Sequence, residues 1–351
     1  MKTPRGPGAR TSNDAGARLT SSWFLAGAAG LFALFCVAAT VGQYPIGVGD
    51  VIAALWQGVS GAETRDTAAT VVLDIRLPRL CAALLVGLAL AASGATYQTV
   101  FRNPLVAPDI LGVSAGAGLG AVLAIFLSLP VPMIQAFAFV FGLAAVAIVY
   151  AMAKLVRGAH DPILVLVLAG VVIGAVMGAG ISALTYLADP YDQLPAITFW
   201  LMGSLAGITY ADLMGAWPAV LLGAVPLFAL RWRVNLMALG EDEARALGVE
   251  TGRLRVGLVV SATLMTSSVV AISGTVGWVG LIIPHMARFL VGPEFSRLLP
   301  ATILIGAAYV LVVDTLARGL TGIEIPIGIL NAFIGAPLFL WILARARKSW
   351  Q

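Results

Sequence analysis

The side chains able to do chemistry in this 351-residue chain are few and far apart. A metal site needs several ligands converging on one point. The two histidines, His160 and His285, fall on opposite sides of the membrane in the topology derived below. Cys36 and Cys81 each sit alone in an apolar run, as small fillers do. The three lysines, Lys2, Lys154 and Lys348, follow Met1, Ala153 and Arg347, so the chain has no Gly-Lys-Ser/Thr phosphate loop. These absences predict no catalytic residue, no metal and no cofactor bound by this chain. If ATP drives it, a partner polypeptide holds the nucleotide and its Mg. One acid, Asp314, lies deep in an apolar run, and Arg318 shares its helix face four residues on. Ion relays in transporters rest on intramembrane acids, and one already placed to pair is a poor relay. An ion-coupled secondary transporter is therefore the competing class, not the first reading.

The elements that position these residues are membrane helices. Hydrophobic residues make up 60% of the chain and charged ones 11%, with a mean hydropathy of +0.97. Soluble chains are about a quarter charged, so lipid must replace water over most of this surface. In lipid every backbone N–H and C=O is satisfied within the protein, which leaves helices or a closed barrel. The apolar runs are about 15–25 residues long, which suits helices and not the roughly 10-residue strands of a barrel. The fold class is all-α and polytopic. Ten spans are expected, at 23–41, 77–100, 112–129, 132–153, 163–187, 212–230, 256–273, 277–291, 299–317 and 326–344. Residues 1–20 read as a disordered cytoplasmic tail, and 21–351 as one membrane domain with a long cytoplasmic loop at 231–255.

Charge orients the spans. With both termini inside, all but four of the 21 lysines and arginines are cytoplasmic, as the positive-inside rule requires. The exceptions are Arg65, Arg76, Arg79 and Arg318. An internal repeat reads at an offset of 180 residues. It aligns Ser93-Gly94 with Ser273-Gly274, Pro104 with Pro284 and Gly112 with Gly292. The two copies start on spans of opposite direction, the inverted-repeat pattern of many transporters. Gly112, Gly116 and Gly120, and again Gly170, Gly174 and Gly178, recur every four residues, predicting helix faces that admit close packing.

Two segments carry the functional reading. Gly240-Glu-Asp-Glu-Ala-Arg-Ala-Leu-Gly248 predicts a two-turn cytoplasmic helix bracketed by glycines, with its acids in the first turn where the helix dipole favours them. A helix standing off the membrane suits a groove on a cytoplasmic partner, though a solvated surface helix would read the same. At the outer side, Arg76 and Arg79 share a helix face and Arg318 ends another span. They suit geometry-selective pairing with acids of an external partner. The local alternative pairs Asp74 with Arg76 or Arg79, and Asp314 with Arg318.

Gly240–Gly248 resembles the coupling segment of the FecCD-type permeases, the membrane subunits of importers for iron–siderophore complexes, haem and cobalamin. So do Ile75-Arg-Leu-Pro-Arg79, Ala92-Ser-Gly-Ala95, Asn103-Pro-Leu-Val-Ala-Pro108, Gly112-Val-Ser-Ala-Gly116, Val279-Gly-Leu-Ile-Ile-Pro-His285 and Glu324-Ile-Pro-Ile-Gly328. The likeness runs in order over about residues 70–345. It implies a type II ABC importer permease fold in the bacterial inner membrane. A second permease subunit, identical or homologous, would complete the pathway. Two cytoplasmic ATPase subunits would dock on Gly240, Glu241, Glu243, Ala244, Arg245, Leu247 and Gly248. An extracytoplasmic binding protein would meet Arg76, Arg79 and Arg318. The implied cargo is a metal chelate, ferric siderophore first and haem or cobalamin as alternatives. No nucleic acid is implied.

Overall fold

The structure is a computed structural model, and it describes residues 11–60, 66–156, 162–237 and 241–346. The first half of the expected tail, residues 1–10, lies outside the described residues. From Thr11 the chain is helical, so α1 (Thr11–Thr40) starts well before the apolar run. Then come α2 (Val48–Ser60), α3 (Thr67–Val100), α4 (Val113–Phe126), α5 (Val131–Leu155), α6 (Pro162–Leu187) and α7 (Gln193–Met202). After these follow α8 (Tyr210–Met237), α9 (Glu241–Ala246), α10 (Thr251–Ser273), α11 (Val279–Val291), α12 (Phe295–Gly319) and α13 (Ile327–Ala346). Among the described residues seven helices are long and apolar enough to cross a membrane, and α4, α11 and α13 are shorter apolar ones. Each of the ten expected spans finds its helix. The outer helices α2 and α7 were not expected, because neither is long enough to register as a span.

The bundle is built around α3. In its apolar window 78% of residues are buried, against 11% for α1 and for α6, so α3 is the axle and those two are periphery. α3 packs on α12, α10, α11 and α8. Small residues make this possible. A Cβ on Gly94 would lie 1.9 Å from the carbonyl oxygen of Gly280, and one on Gly87 2.2 Å from that of Gly306. Backbone touches backbone at both crossings, the contact that glycine alone permits between membrane helices.

The outer end of α3 is wound differently. Pro78 has no N–H, and in a continuous α-helix its ring would strike the carbonyl four residues back. The preceding turn, Val71–Arg76, is a π-helix whose Leu77 N–H reaches Val72 O. The added slack absorbs the proline and lengthens the helix ten residues beyond the span expected from residue 77.

The residues that the offset of 180 pairs do not occupy matching places in the helices. Ser93-Gly94 lies inside α3 whereas Ser273-Gly274 closes α10, and Pro104 lies in a turn whereas Pro284 is inside α11. The offset of 180 matched residue types and not helix ends. The 14-residue α4 and 13-residue α11 are alike in length, as are α5 and α12, of 25 residues each. The residue before each short helix has positive φ, Gly112 at 78° and Trp278 at 70°.

The glycine stripes divide. Gly116 and Gly120 pack on α5, where added Cβ atoms would lie 2.6 Å from Phe141 O and 2.4 Å from Phe137 O. Gly170 packs on the turn at Pro108–Leu111, 2.1 Å from Ile110 O by the same measure. Gly112 supplies the left-handed backbone that starts α4 and is not a packing position. A Cβ added to Gly174 or Gly178 would meet nothing within 4 Å in this chain, so close packing does not require glycine at either. Gly94→Ala is expected to lower stability by about 1–3 kcal/mol through overpacking. Gly174→Ala should raise it by up to about 1 kcal/mol through helix propensity. Thermal unfolding in detergent compares them.

Candidate functional site

Three places combine polar chemistry with position: the outer end of α3, its inner end, and α9. At the outer end, Asp314 of α12 is fully buried between two guanidinium groups. Arg79 Nε donates to its Oδ1 at 2.8 Å and Arg318 Nε to its Oδ2 at 3.1 Å. Arg79 also grips Glu324 with both terminal nitrogens, at 2.9 and 2.6 Å, in a bidentate pair. Arg318 continues to the carbonyls of Val41 (2.8 Å) and Ala38 (3.2 Å) at the end of α1. Arg76 donates to Ala39 O at 2.7 Å and to Tyr44 O. These bonds fasten α1, the turn after it, α3, α12 and the loop before α13 at one point.

This corrects the expectation that Arg76, Arg79 and Arg318 stand outward as docking groups. None is more than 6% exposed, and each is satisfied within the chain. The physical reason is cost: a guanidinium held at a membrane edge without a carboxylate or carbonyls would be a desolvated charge. Of the local pairings weighed, Asp314 with Arg318 is found. Glu324 was missed as a partner, although it opens one of the motifs that carried the resemblance. Its carboxylate, 29% exposed, is the least buried member of the ion-paired network.

At the inner end of α3, Gln98 repairs a broken helix. Pro284 leaves the carbonyl of Gly280 without its intrahelical donor. Gln98 Nε2 donates to Gly280 O at 3.3 Å and to Leu281 O at 3.1 Å, while Arg288 donates to Gln98 Oε1. One amide thus stands in for the absent N–H, and an arginine fixes which way the amide faces. Sequence reading passed over Gln98; the signal was a proline inside a span, which obliges some neighbour to supply a donor. His285 lies inside α11, its ring edge-on to Phe289 at 5.2 Å. His160 lies outside the described residues.

The expected cytoplasmic helix is α9. Its stop is a paired hydrogen-bond motif around Gly248, whose φ is +82°. Gly248 N–H reaches Arg245 O at 2.9 Å and Val249 N–H reaches Ala244 O at 3.0 Å, a Schellman closure. The apolar contact that accompanies such closures is here too, since Ala244 and Val249 are buried. Ala244 is therefore an anchor to α8 and α10 and not a surface group. Glu243, Arg245 and Leu247 face solvent, with Leu247 59% exposed. Arg245 Nε donates to Thr251 Oγ1 at 3.2 Å, tying α9 to the first turn of α10. Gly240 and the side chain of Glu241 lie outside the described residues.

With this geometry in place, the chain can be set beside known proteins. The FecCD transport family matches it over residues 30–345. It is 40% identical over 309 residues to the molybdate import system permease protein MolB of Haemophilus influenzae, covering 88% of this chain and 91% of that one. It is 39% identical to a probable iron chelatin transport system permease protein of Helicobacter pylori, covering 81% of this chain and 86% of the relative. It is also 39% identical to the cobalamin import system permease protein BtuC of Halobacterium salinarum, over 79% of this chain and 74% of the relative. A solved structure described as an inward-facing conformation of a metal-chelate type ABC transporter superimposes with a TM-score of 0.83 at 37% identity. That superposition covers 93% of this chain and 99% of the other.

Asp314→Asn removes the negative charge between two buried guanidiniums, leaving Arg79 to Glu324 and Arg318 to backbone carbonyls, and is expected to cost about 3–5 kcal/mol. Asp242→Asn, which alters only a loose surface pair of 3.9 Å, should change nothing measurable. Gln98→Leu leaves the Gly280 carbonyl without a donor and should cost about 1–3 kcal/mol. Unfolding titrations in mixed detergent micelles read all three.

Proposed function

The chain belongs to the FecCD transport family, and on that premise we propose that it is the membrane subunit of an ATP-driven importer of metal chelates, with ferric siderophore as cargo. The observation that carries this reading is α9. A six-residue helix anchored by Ala244 and Val249 between two spans, and showing Leu247 and Glu243 to solvent, suits a partner's groove and no task inside the membrane. Two ATPase subunits dock there and supply the ATP and Mg chemistry that this chain lacks. Rigid attachment through the Schellman closure and the Arg245–Thr251 bond passes their movement into α8 and α10.

A second permease subunit, identical or homologous, faces this one across the pathway. Both termini lie in the cytoplasm of a bacterial cell whose inner membrane holds the complex. An extracytoplasmic binding protein delivers the chelate at the outer end. The buried arginines act there by fixing the shape of the surface above them, and docking acids meet that surface and not the guanidinium groups. Named relatives handle molybdate, iron chelatin and cobalamin. Ferric siderophore is preferred because relatives named for iron chelatin and Fe(3+)-citrate import match this chain, and haem or cobalamin is the alternative cargo of the same machinery.

Leu247→Asp should weaken binding of the ATPase subunit by about 10- to 100-fold, the worth of one buried leucine, and abolish uptake while the fold stays intact. Interferometry on the purified proteins measures the affinity. Wild-type affinity would remove the docking role. Absorption spectra of the binding protein isolated with its ligand identify the chelate.

A further inference from the structure

The short helix α2 has three faces of different chemistry. At about 100° per residue, Val48, Ile52, Leu55, Trp56 and Val59 fall together on one side. All five are exposed, from 42% for Leu55 to 85% for Val59. A second side, with Val51, Ala54 and Gly58, turns into the protein. Val51 and Ala54 are buried, and a Cβ on Gly58 would lie 3.2 Å from Leu73. The third side holds Asp50, Ala53 and Ser60, all exposed, and Gln57, half-buried at the edge of the protein side. The three are roughly 120° apart, which is the arrangement of a helix at a junction of protein, water and a third, apolar medium.

We propose that α2 lies in the outer interface of the bilayer, with the Val48–Val59 face resting in the phospholipid headgroup–acyl boundary. Three observations select lipid as the occupant. The helix before it, α1, leaves most of its apolar surface uncovered, with only 11% of its span buried and Phe32 and Val37 70% and 59% exposed. Depth agrees: the turn between α1 and α2 is fixed at the outer end of the spans by Arg318 on Val41 O and Arg76 on Tyr44 O. Trp56 stands where the apolar side meets the polar one, the place indole takes at a membrane surface. Asp50 is the one charged residue of α2, and its Oδ2 accepts Gly47 N–H at 3.0 Å to cap the helix start. Binding therefore rests on apolar area and not on anionic headgroups.

The placement has a consequence for the arginine network. The α1–α2 turn lies over Arg76, close enough that a Cβ on Gly42 would be 2.8 Å from its Nη2. A helix seated in the interface holds that turn down, so the bilayer itself helps to keep the network closed.

Spin labels test this on the full transporter complex in phosphatidylcholine nanodiscs. Cysteines replace Ile52, Val59 and, as the water-side control, Ala53, in a background with Cys36 and Cys81 replaced by alanine. Power saturation then compares apolar oxygen with a water-soluble nickel chelate. Positions 52 and 59 should be open to oxygen and closed to nickel, with the reverse at 53. Equal nickel access at all three would overturn the proposal. So would shielding of 52 and 59 from both relaxants, whether constant or appearing only when binding protein is added, because either would make the occupant a protein.

Discussion

Asp314 is a carboxylate with no exposed surface, placed where water cannot reach and two guanidinium groups can. In hydrocarbon or at its edge, an ion or backbone group that lacks a partner is costly enough to decide the conformation. The structure answers that constraint in the same manner at each end of α3. Outside, Asp314 and Glu324 hold Arg79, and carbonyls at the end of α1 absorb Arg318 and Arg76. Inside, Gln98 supplies the donor that Pro284 removed. Between these ends the axle needs little polarity, and backbone contacts at Gly87 and Gly94 hold it against α12 and α11.

Such a core is rigid because its satisfied groups are shared among several helices. Moving α12 relative to α3 would break ion pairs, and moving α11 would free carbonyls. Motion during transport is therefore expected at elements outside this lattice. α6 is one, being largely unburied in this chain, and α9 is another, joined to the bundle through few buried side chains. The proposed coupling path runs from α9 into α8 and α10, both of which pack on the axle.

Much of this was legible in the residues themselves. Apolar run lengths located all ten spans, because helix length and bilayer thickness are one constraint. Gly240 to Gly248 marked α9, since a left-handed glycine is a strong local stop signal. What stayed hidden was tertiary. Arg76, Arg79 and Arg318 look alike whether they face water or a buried acid 235 residues away. The offset of 180 paired residues at unlike places in their helices, because Gly and Ser recur too often in these helices to fix a register. α2 escaped notice because 13 residues fall below a span, although its alternation of three faces was present in the sequence.

The most direct measurement is chelate uptake into proteoliposomes that hold this chain with its partner ATPase and binding protein. ATP and Mg are sealed with the ATPase, and ionophores collapse every ion gradient. The account predicts accumulation of radiolabelled ferric chelate that depends on ATP and is untouched by the ionophores. Accumulation driven by a proton or sodium gradient without ATP would contradict it.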